Sequence, residues 1–254
     1  MTAVLGIHAV NGVPLVHAGD DLAELIGEAL LRSDVPLSDG DVVVVAQKIV
    51  SKAEGRLVRL SDVHPSPDAL QLAEETGKDP RMVELILRES TDIVRKAPGV
   101  IIVRHRLGLV SANAGIDQSN IDHREGECAL LLPQDPDRSA RRLRSDLMQK
   151  THKCLGVIVS DSVNRPWRLG SVGIAIGSAG VTVLDDRRGT RDLFGRELQV
   201  TVINRADSIA TAAMLVMGET SERVPVAVVS GFAPEDGKQT AGTSVRPVDE
   251  DLFL

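Results

Sequence analysis

The chain contains no tyrosine, and its whole aromatic complement is Trp167, Phe194, Phe232 and Phe253. Single-stranded nucleic acids are held by stacking bases on aromatic rings along a basic groove. Four aromatics and a formal net charge of −7 exclude nucleic acid as the principal partner. A flavin-like or purine ring would have to be sandwiched by aliphatic side chains and backbone. Cysteine is as sparse: Cys128 and Cys154 lack a Cys-x-x-Cys spacing, so neither a disulfide framework nor a thiolate zinc site is indicated. His8, His17, His64, His105, His123 and His152 show no His-x-His or HExxH spacing and read as structural or surface residues. No apolar run approaches the roughly 20 residues of a membrane helix. The start, MTAVLGIHAV, lacks the basic-then-apolar pattern of a secretory leader. The expected location is cytoplasmic, with no membrane partner. Two common nucleotide signatures are also missing, the GxxxxGK loop and a GxGxxG after a strand.

What is present fits a globular enzyme: 254 residues, 43% hydrophobic and 26% charged, enough for one large domain or two interlocked halves. Val- and Ile-rich runs at 42–50, 99–105, 128–133, 155–161, 172–177, 181–184, 198–203 and 224–230 predict strands. Asp20-Asp21 predicts a cap for a helix with Leu22, Leu25, Ile26 and Leu30 on one face. Asp79-Pro80 and Asp135-Pro136 predict helices over about 80–90 and 136–150, and a last helix is predicted over about 205–217. The elements do not alternate cleanly, so the fold class read here is α+β, mixed or antiparallel sheets with flanking helices. Residues 1–232 are expected to form the folded domain, and the polar stretch 233–254 a loose tail.

Four polar segments carry candidate chemistry. In AQKIVSKAEGR (46–56), Lys48 and Lys52 can aim a compact cation at a phosphate, although a solvated turn would look the same. NAGIDQSN (113–120) packs Asn113, Asp117, Ser119 and Asn120 into one loop, a density of oxygens suited to a hard cation or a nucleotide; an Asx-rich turn explains it about as well. SDSVNRPWRLG (160–170) ends an apolar strand in Asp161 and Ser162, then adds Arg165 and Arg168, suited to anionic substrates or to a surface turn. In MGETSERVP (217–225), Glu219 follows a helix and a glycine. Glycines 170, 173, 177 and 180 favour close backbone packing over a phosphate loop. Together, Asp117, Asp161, Ser162 and Glu219 with Lys52, Arg165 and Arg168 form an oxygen and cation set without thiolates. That set suits Mg²⁺ or Mn²⁺ with phosphates, not zinc.

These segments, with GVP and GDDL (12–14, 19–22), DGDVVVVAQKIVSKAEGR (39–56), RLGLVSANAGIDQSN (106–120), VIVSDSVNRPWRLG (157–170) and MGETSERVPVAVVSGF (217–232), resemble the coenzyme F-420-0: L-glutamate ligase family, the F-420 gamma-glutamyl ligases. The match runs from near residue 10 to 232. SKAEGR and GIDxSN are its specific motifs; the valine strands are not. The resemblance implies a fold particular to the family and an intertwined homodimer. It implies that GTP activates the terminal carboxylate of coenzyme F-420-0 as an acyl phosphate, and that L-glutamate then forms an amide, once or in a gamma-linked chain. Carried over by motif, the metal ligands are Asp117, Asp161, Ser162 and Glu219. The nucleotide-binding segments are Val13, Pro14, Leu15 and Val16, Gln47, Lys52, Asn120, and Met217, Gly218, Glu219, Thr220, Ser221, Glu222, Arg223 and Val224. Lys52, Asp117 and Asp161 are the residues expected to bear on catalysis, and Mg²⁺ or Mn²⁺ (two ions) and K⁺ are the expected cofactors. The chain departs from the family pattern at Leu15 (commonly Glu), Gln47 (commonly Ser or Thr), Ser162 (often Thr), Asn164 (commonly Gly) and Glu219 (commonly Gln), positions that bear on nucleotide and acceptor choice. A related ligase for another carboxylate-bearing cofactor, and a catalytically silent nucleotide- or deazaflavin-binding dimer, are the alternatives.

Overall fold

Val42 to Val45 are all buried, at most 3% exposed, as a β-branched run is when both faces of its strand are covered. In the computed structural model, which describes residues 4–124, 126–164 and 167–251, these valines form a strand at the centre of a five-stranded sheet. Twelve strands and six α-helices are described, numbered here in chain order. The sheet order is β1 (Gly6–Ala9), β12 (Val226–Ser230), β2 (Val42–Ala46), β8 (Gly156–Asn164) and β9 (Ser171–Ala179). Only β2 and β8 are parallel, with Val45 beside Val159 and Ala46 beside Ser160; the other three pairings are antiparallel. The α+β expectation of mixed sheets with flanking helices therefore holds.

The chain folds as two units, each assembled from separated segments, where one domain had been expected to run through residue 232. The first takes the chain up to Leu15, Asp20–Val50 and Asp135–Ser244; the second takes Val16–Gly19, Ser51–Gln134 and the chain from Val245. In the first unit, α5 (Pro136–Thr151) and α6 (Arg205–Met217) pack on β9. A Cβ at Gly173 would lie 2.6 Å from the Ala210 carbonyl of α6, and one at Gly177 would overlap the Pro136 carbonyl of α5. Gly173 and Gly177 thus serve close packing, the favoured sequence reading, whereas Gly170 has open space around it and takes a left-handed φ of +92°. α1 (Leu22–Arg32) buries Ala23, Ile26, Ala29 and Leu30. Its cap is Asp21, which accepts from Glu24 N at 3.0 Å. Asp79 and Asp135 cap α4 (Pro80–Arg88) and α5 in the same way. β10 (Leu184–Asp186) and β11 (Val202–Asn204) form a short separate pair, smaller than the runs 181–184 and 198–203 predicted.

The second unit holds a three-stranded antiparallel sheet of β4 (Ser90–Ala97), β5 (Val100–His105) and β6 (Val110–Ala112), and the pair β3 (Leu57–Arg59) with β7 (Cys128–Leu130). α3 (Pro67–Thr76) and α4 complete it, around Leu60, Val83, Ile86, Ile101, Val103 and Ala129. Two predicted strands end early. The run 128–133 stops at Leu130. The run 42–50 stops at Ala46, where α2 (Gln47–Ala53) begins. Gln47, Val50 and Ser51 are buried, an i, i+3, i+4 spacing that makes a helix face. Residues 233–251, expected to hang loose, carry several fastenings. Ala241 N donates to Asp137 Oδ1 (2.8 Å), Thr182 Oγ1 to Glu235 Oε2 (2.7 Å) and Leu184 N to Gln239 Oε1 (2.9 Å). No described helix is long and apolar enough to cross a membrane.

Candidate functional site

Three of the predicted segments leave the five-stranded sheet at one end, and a fourth runs past that end as the outer part of the β8–β9 pair. β1 continues through Val10, whose N–H donates to Val226 O at 2.9 Å, and then runs into Val13, Pro14 and Leu15. β12 is entered from Met217–Val224 through Pro225, whose carbonyl accepts from Ala46 N at 2.9 Å. β2 ends at Ala46 and delivers Gln47, which is 2% exposed. β8, paired to β2 at Ser160, carries Asp161 and Ser162 just beyond. In open α/β sheets ligands bind beyond the carboxyl ends of parallel strands, and β2 and β8 are the parallel pair of this sheet. A bulge on β9 opposite Val159 and Ser160 interrupts the ladder beside Asp161. Asp161 and Ser162 are half-buried, and Asp161 Oδ1 accepts from Ser162 N at 2.9 Å.

The loop 217–224 has an internal organiser. Glu222 accepts from Thr220 N (2.7 Å) and Thr220 Oγ1 (3.1 Å). Its own backbone amide, with those two donors, holds its carboxyl below the usual carboxylate range. Gly218 (φ +72°) lies against this carboxylate, where a Cβ would overlap Glu222 Cδ, and Arg223 also takes a left-handed φ of +58°. Glu222 thus turns toward Thr220, while Glu219, Thr220, Ser221 and Arg223 are exposed.

The second unit places Lys52, Asp117 and Asn120. α2 ends in a two-bond left-handed cap: Gly55 N donates to Lys52 O (3.0 Å) and Arg56 N to Ser51 O (2.9 Å), with Gly55 at φ +68°. Arg56 then anchors the turn, Nε to Leu132 O (2.9 Å) and Nη2 to Glu89 Oε1 (2.9 Å). Glu89 is shared with Arg106 Nε (3.1 Å) and His105 Nε2 (3.3 Å). Burial alone would raise the pKa of Glu89, but His105, Arg56 and Arg106 outweigh it and hold the carboxyl at about 2. The motif SKAEGR is therefore a mount: Ser51, Gly55 and Arg56 fix the helix end that carries Lys52. Sequence reasoning missed Arg56 and Glu89; the Gly-Arg after a lysine-bearing segment was the available signal.

Lys52 Nζ donates to the Asn120 carbonyl at 2.8 Å, bringing together two predicted nucleotide residues 68 positions apart. Asp117, half-buried, is set by reciprocal backbone bonds with Leu130 (3.0 and 2.8 Å). Before it stand three successive left-handed residues, Asn113, Ala114 and Gly115 (φ 53°, 57° and 66°). Ala114 in that region costs about 1–2 kcal/mol, and such strain is concentrated at ligand-handling sites. Val16 also belongs to this unit and is buried. Arg168 is exposed, and Arg165 lies outside the described residues.

Asp117, Asp161, Ser162 and Glu219 offer carboxylate and hydroxyl oxygens with no sulfur or imidazole, the donor set of a hard divalent cation. Among the described residues, no three His, Cys, Asp or Glu side chains are grouped so as to cage an ion by themselves. Ligands beyond protein carboxylates, such as nucleotide phosphates and water, are usual for Mg²⁺.

The α+β fold thus offers, in its first unit, polar loops gathered at one sheet end and, in its second, a lysine mounted beside the Asn120 carbonyl. Residues 12–231 match the family model F420-0:Gamma-glutamyl ligase, and the chain belongs to that family. It is similar to the coenzyme F420:L-glutamate ligase of Methanopyrus kandleri, 48% identical over 251 residues and 96% of each chain. It is also similar to the proteins of that name from Methanothermobacter thermautotrophicus, 46% identical over 98% of each chain, and Archaeoglobus fulgidus, 45% identical over 89% of this chain and 87% of that one.

Proposed function

We propose that this chain is a ligase of coenzyme F420 biosynthesis that joins L-glutamate to coenzyme F420-0 at the expense of GTP. A terminal carboxylate oxygen of F420-0 attacks the γ-phosphorus of GTP, giving an acyl phosphate and GDP. The amine of L-glutamate then attacks the acyl carbon, loses a proton and expels phosphate, leaving an amide. One or more γ-linked glutamates are added this way.

The observation that carries the reading is the delivery of residues 13–15, Gln47, Asp161, Ser162 and 217–224 to one end of one sheet. The Lys52–Asn120 contact at 2.8 Å adds to it. In this reading residues 13–16, Gln47, Asn120 and 217–224 hold the nucleotide, and Lys52 sets its charge beside the transferring phosphoryl group. Asp117, Asp161, Ser162 and Glu219 would hold Mg²⁺ or Mn²⁺, with K⁺ as a monovalent partner. A bound divalent cation supplies charge neutralisation at the phosphoryl oxygens. The protein works as a cytoplasmic homodimer in this proposal.

Incubation with GTP, MnCl₂ or MgCl₂, L-glutamate and glutamate-free coenzyme, read by mass spectrometry, tests it. The expected result is a mass gain of whole glutamyl units with matching GDP, abolished by EDTA. GTP turnover only with a different carboxylate would identify a related ligase. Nucleotide binding without turnover would identify a silent binding protein.

A further inference from the structure

The loop from Asp117 to Leu130 closes without a regular ladder because one side chain replaces a rung. Asp117 and Leu130 exchange both backbone bonds (3.0 and 2.8 Å), which makes them a hydrogen-bonded pair of an antiparallel ladder. Two residues further in, such a ladder would join Ser119 to Cys128. Instead Cys128 N donates to His123 Nδ1 at 3.2 Å, and His123 Nε2 contacts Gln118 O at 2.8 Å. A backbone N–H can only donate, so Nδ1 is the acceptor; a carbonyl can only accept, so Nε2 carries the proton. The imidazole therefore spans the loop between its two sides. Gly126 N donates to the His123 carbonyl at 3.0 Å and turns the chain back. Released from the ladder, Asn120 adopts φ +56°, and its carbonyl receives Lys52 Nζ at 2.8 Å. The flanking Asp122 and Arg124 are exposed and pair with one another (Arg124 Nε to Asp122 Oδ1, 3.0 Å).

We infer that His123 is a positioning residue for the nucleotide site: its imidazole fixes the 117–120 segment that presents Asp117 and Asn120, and it does so without touching substrate. An exposed histidine bonded to nearby backbone is usually a local turn stabiliser. What distinguishes His123 is the place it ties, the residue directly after Asp117 on one side and the strand that pairs with Asp117 on the other. The inference deepens the proposed function and rests on its assignment of Asp117 and Asn120 to GTP and its cation.

The test compares the full chain with His123→Ala, His123→Asn, His123→Gln and Asp117→Asn, by steady-state kinetics and by hydrogen exchange without ligands. Asn can place an oxygen where Nδ1 accepts, and Gln can place an amide nitrogen where Nε2 donates. In His123→Ala, KM for GTP should rise about tenfold with kcat changed less than about threefold, a loss of pre-set ground-state and transition-state binding together. Amides of 118–128 should exchange roughly tenfold faster, while β2 and β8 keep their protection. Asn and Gln should each fall between wild type and Ala. Unchanged KM in His123→Ala, unchanged exchange in 118–128, or equal loosening of β2 and β8 would overturn the inference. Asp117→Asn separates the two levels of the reading. If it retains wild-type activity, the assignment of this segment to the nucleotide is wrong, whatever His123 does. If it is inactive while His123→Ala has normal KM, only the role of His123 fails.

Discussion

Acid should loosen the second unit through one buried carboxylate. Glu89 has three partners, the Arg56 and Arg106 guanidinium groups at 2.9 Å and 3.1 Å and the His105 imidazole at 3.3 Å, and only 11% of its side chain is exposed. Its pKa falls from the ordinary 4.5 to about 2. A depressed folded-state value means that the carboxylate stabilises the fold above the unfolded pKa, and that this contribution fades as pH falls from about 4.5 toward 2. A difference of roughly 2.5 units at 1.36 kcal/mol per unit gives ~3 kcal/mol at neutral pH. Glu89→Gln should therefore destabilise the protein by about 3 kcal/mol at pH 7, because two arginines lose their shared anion. It should also flatten the acid limb of the stability curve, so that mutant and wild type converge near pH 2.5. Urea unfolding at pH 7, 4.5, 3.5 and 2.5, followed by hydrogen exchange in α4 and β5, reads this out. Asp122 and Asp186 are also held at about 2, by Arg124 and Arg188, but both proteins keep those pairs, so the difference isolates Glu89. Parallel acid limbs for mutant and wild type, or a pH 7 loss under about 1 kcal/mol, would refute the reasoning.

Other expectations follow from the same geometry. Asp117→Asn and Asp161→Asn should each lower kcat by about a hundredfold or more with the far-ultraviolet spectrum intact, a size typical of lost transition-state electrostatics. Ser162→Ala should cost less than about tenfold, since a neutral hydroxyl contributes less to holding a divalent cation than the Asp161 carboxylate beside it. Gly55→Ala should cost about 1 kcal/mol in thermal unfolding from its left-handed φ alone, because the added methyl meets only Ala18 at an ordinary 3.7 Å. Gly177→Ala should cost roughly 1–3 kcal/mol or prevent folding, as its methyl runs into the Pro136 backbone.

The helices that carry their own punctuation were legible. Asp21, Asp79 and Asp135 cap where sequence placed them, and 205–217 was read to the residue. α2 was not, because Ile49 and Val50 extend a valine strand by composition; the burial of Gln47, Val50 and Ser51 on one face and the Gly55 cap decide otherwise. α3 was missed although Ser66-Pro67 announces it, its Ser66 Oγ accepting from Ala69 N at 3.3 Å. β1, β3, β4 and β6 are short or mostly exposed strands with little periodicity to read. For the site, residue types and order were legible because the motifs are local. Which loops leave the sheet at the same end was not, because that depends on the parallel β2–β8 register. Nor was the anchoring of Arg56 by Glu89, 33 positions away.

The most direct test of the chemistry is to follow an oxygen atom. Glutamate-free coenzyme labelled with ¹⁸O in its terminal carboxylate is converted with unlabelled GTP, L-glutamate and Mn²⁺, and the released phosphate is weighed. Activation as an acyl phosphate predicts that the phosphate released with the first glutamate carries one ¹⁸O from the carboxylate. Unlabelled phosphate released with that first glutamate would contradict the account.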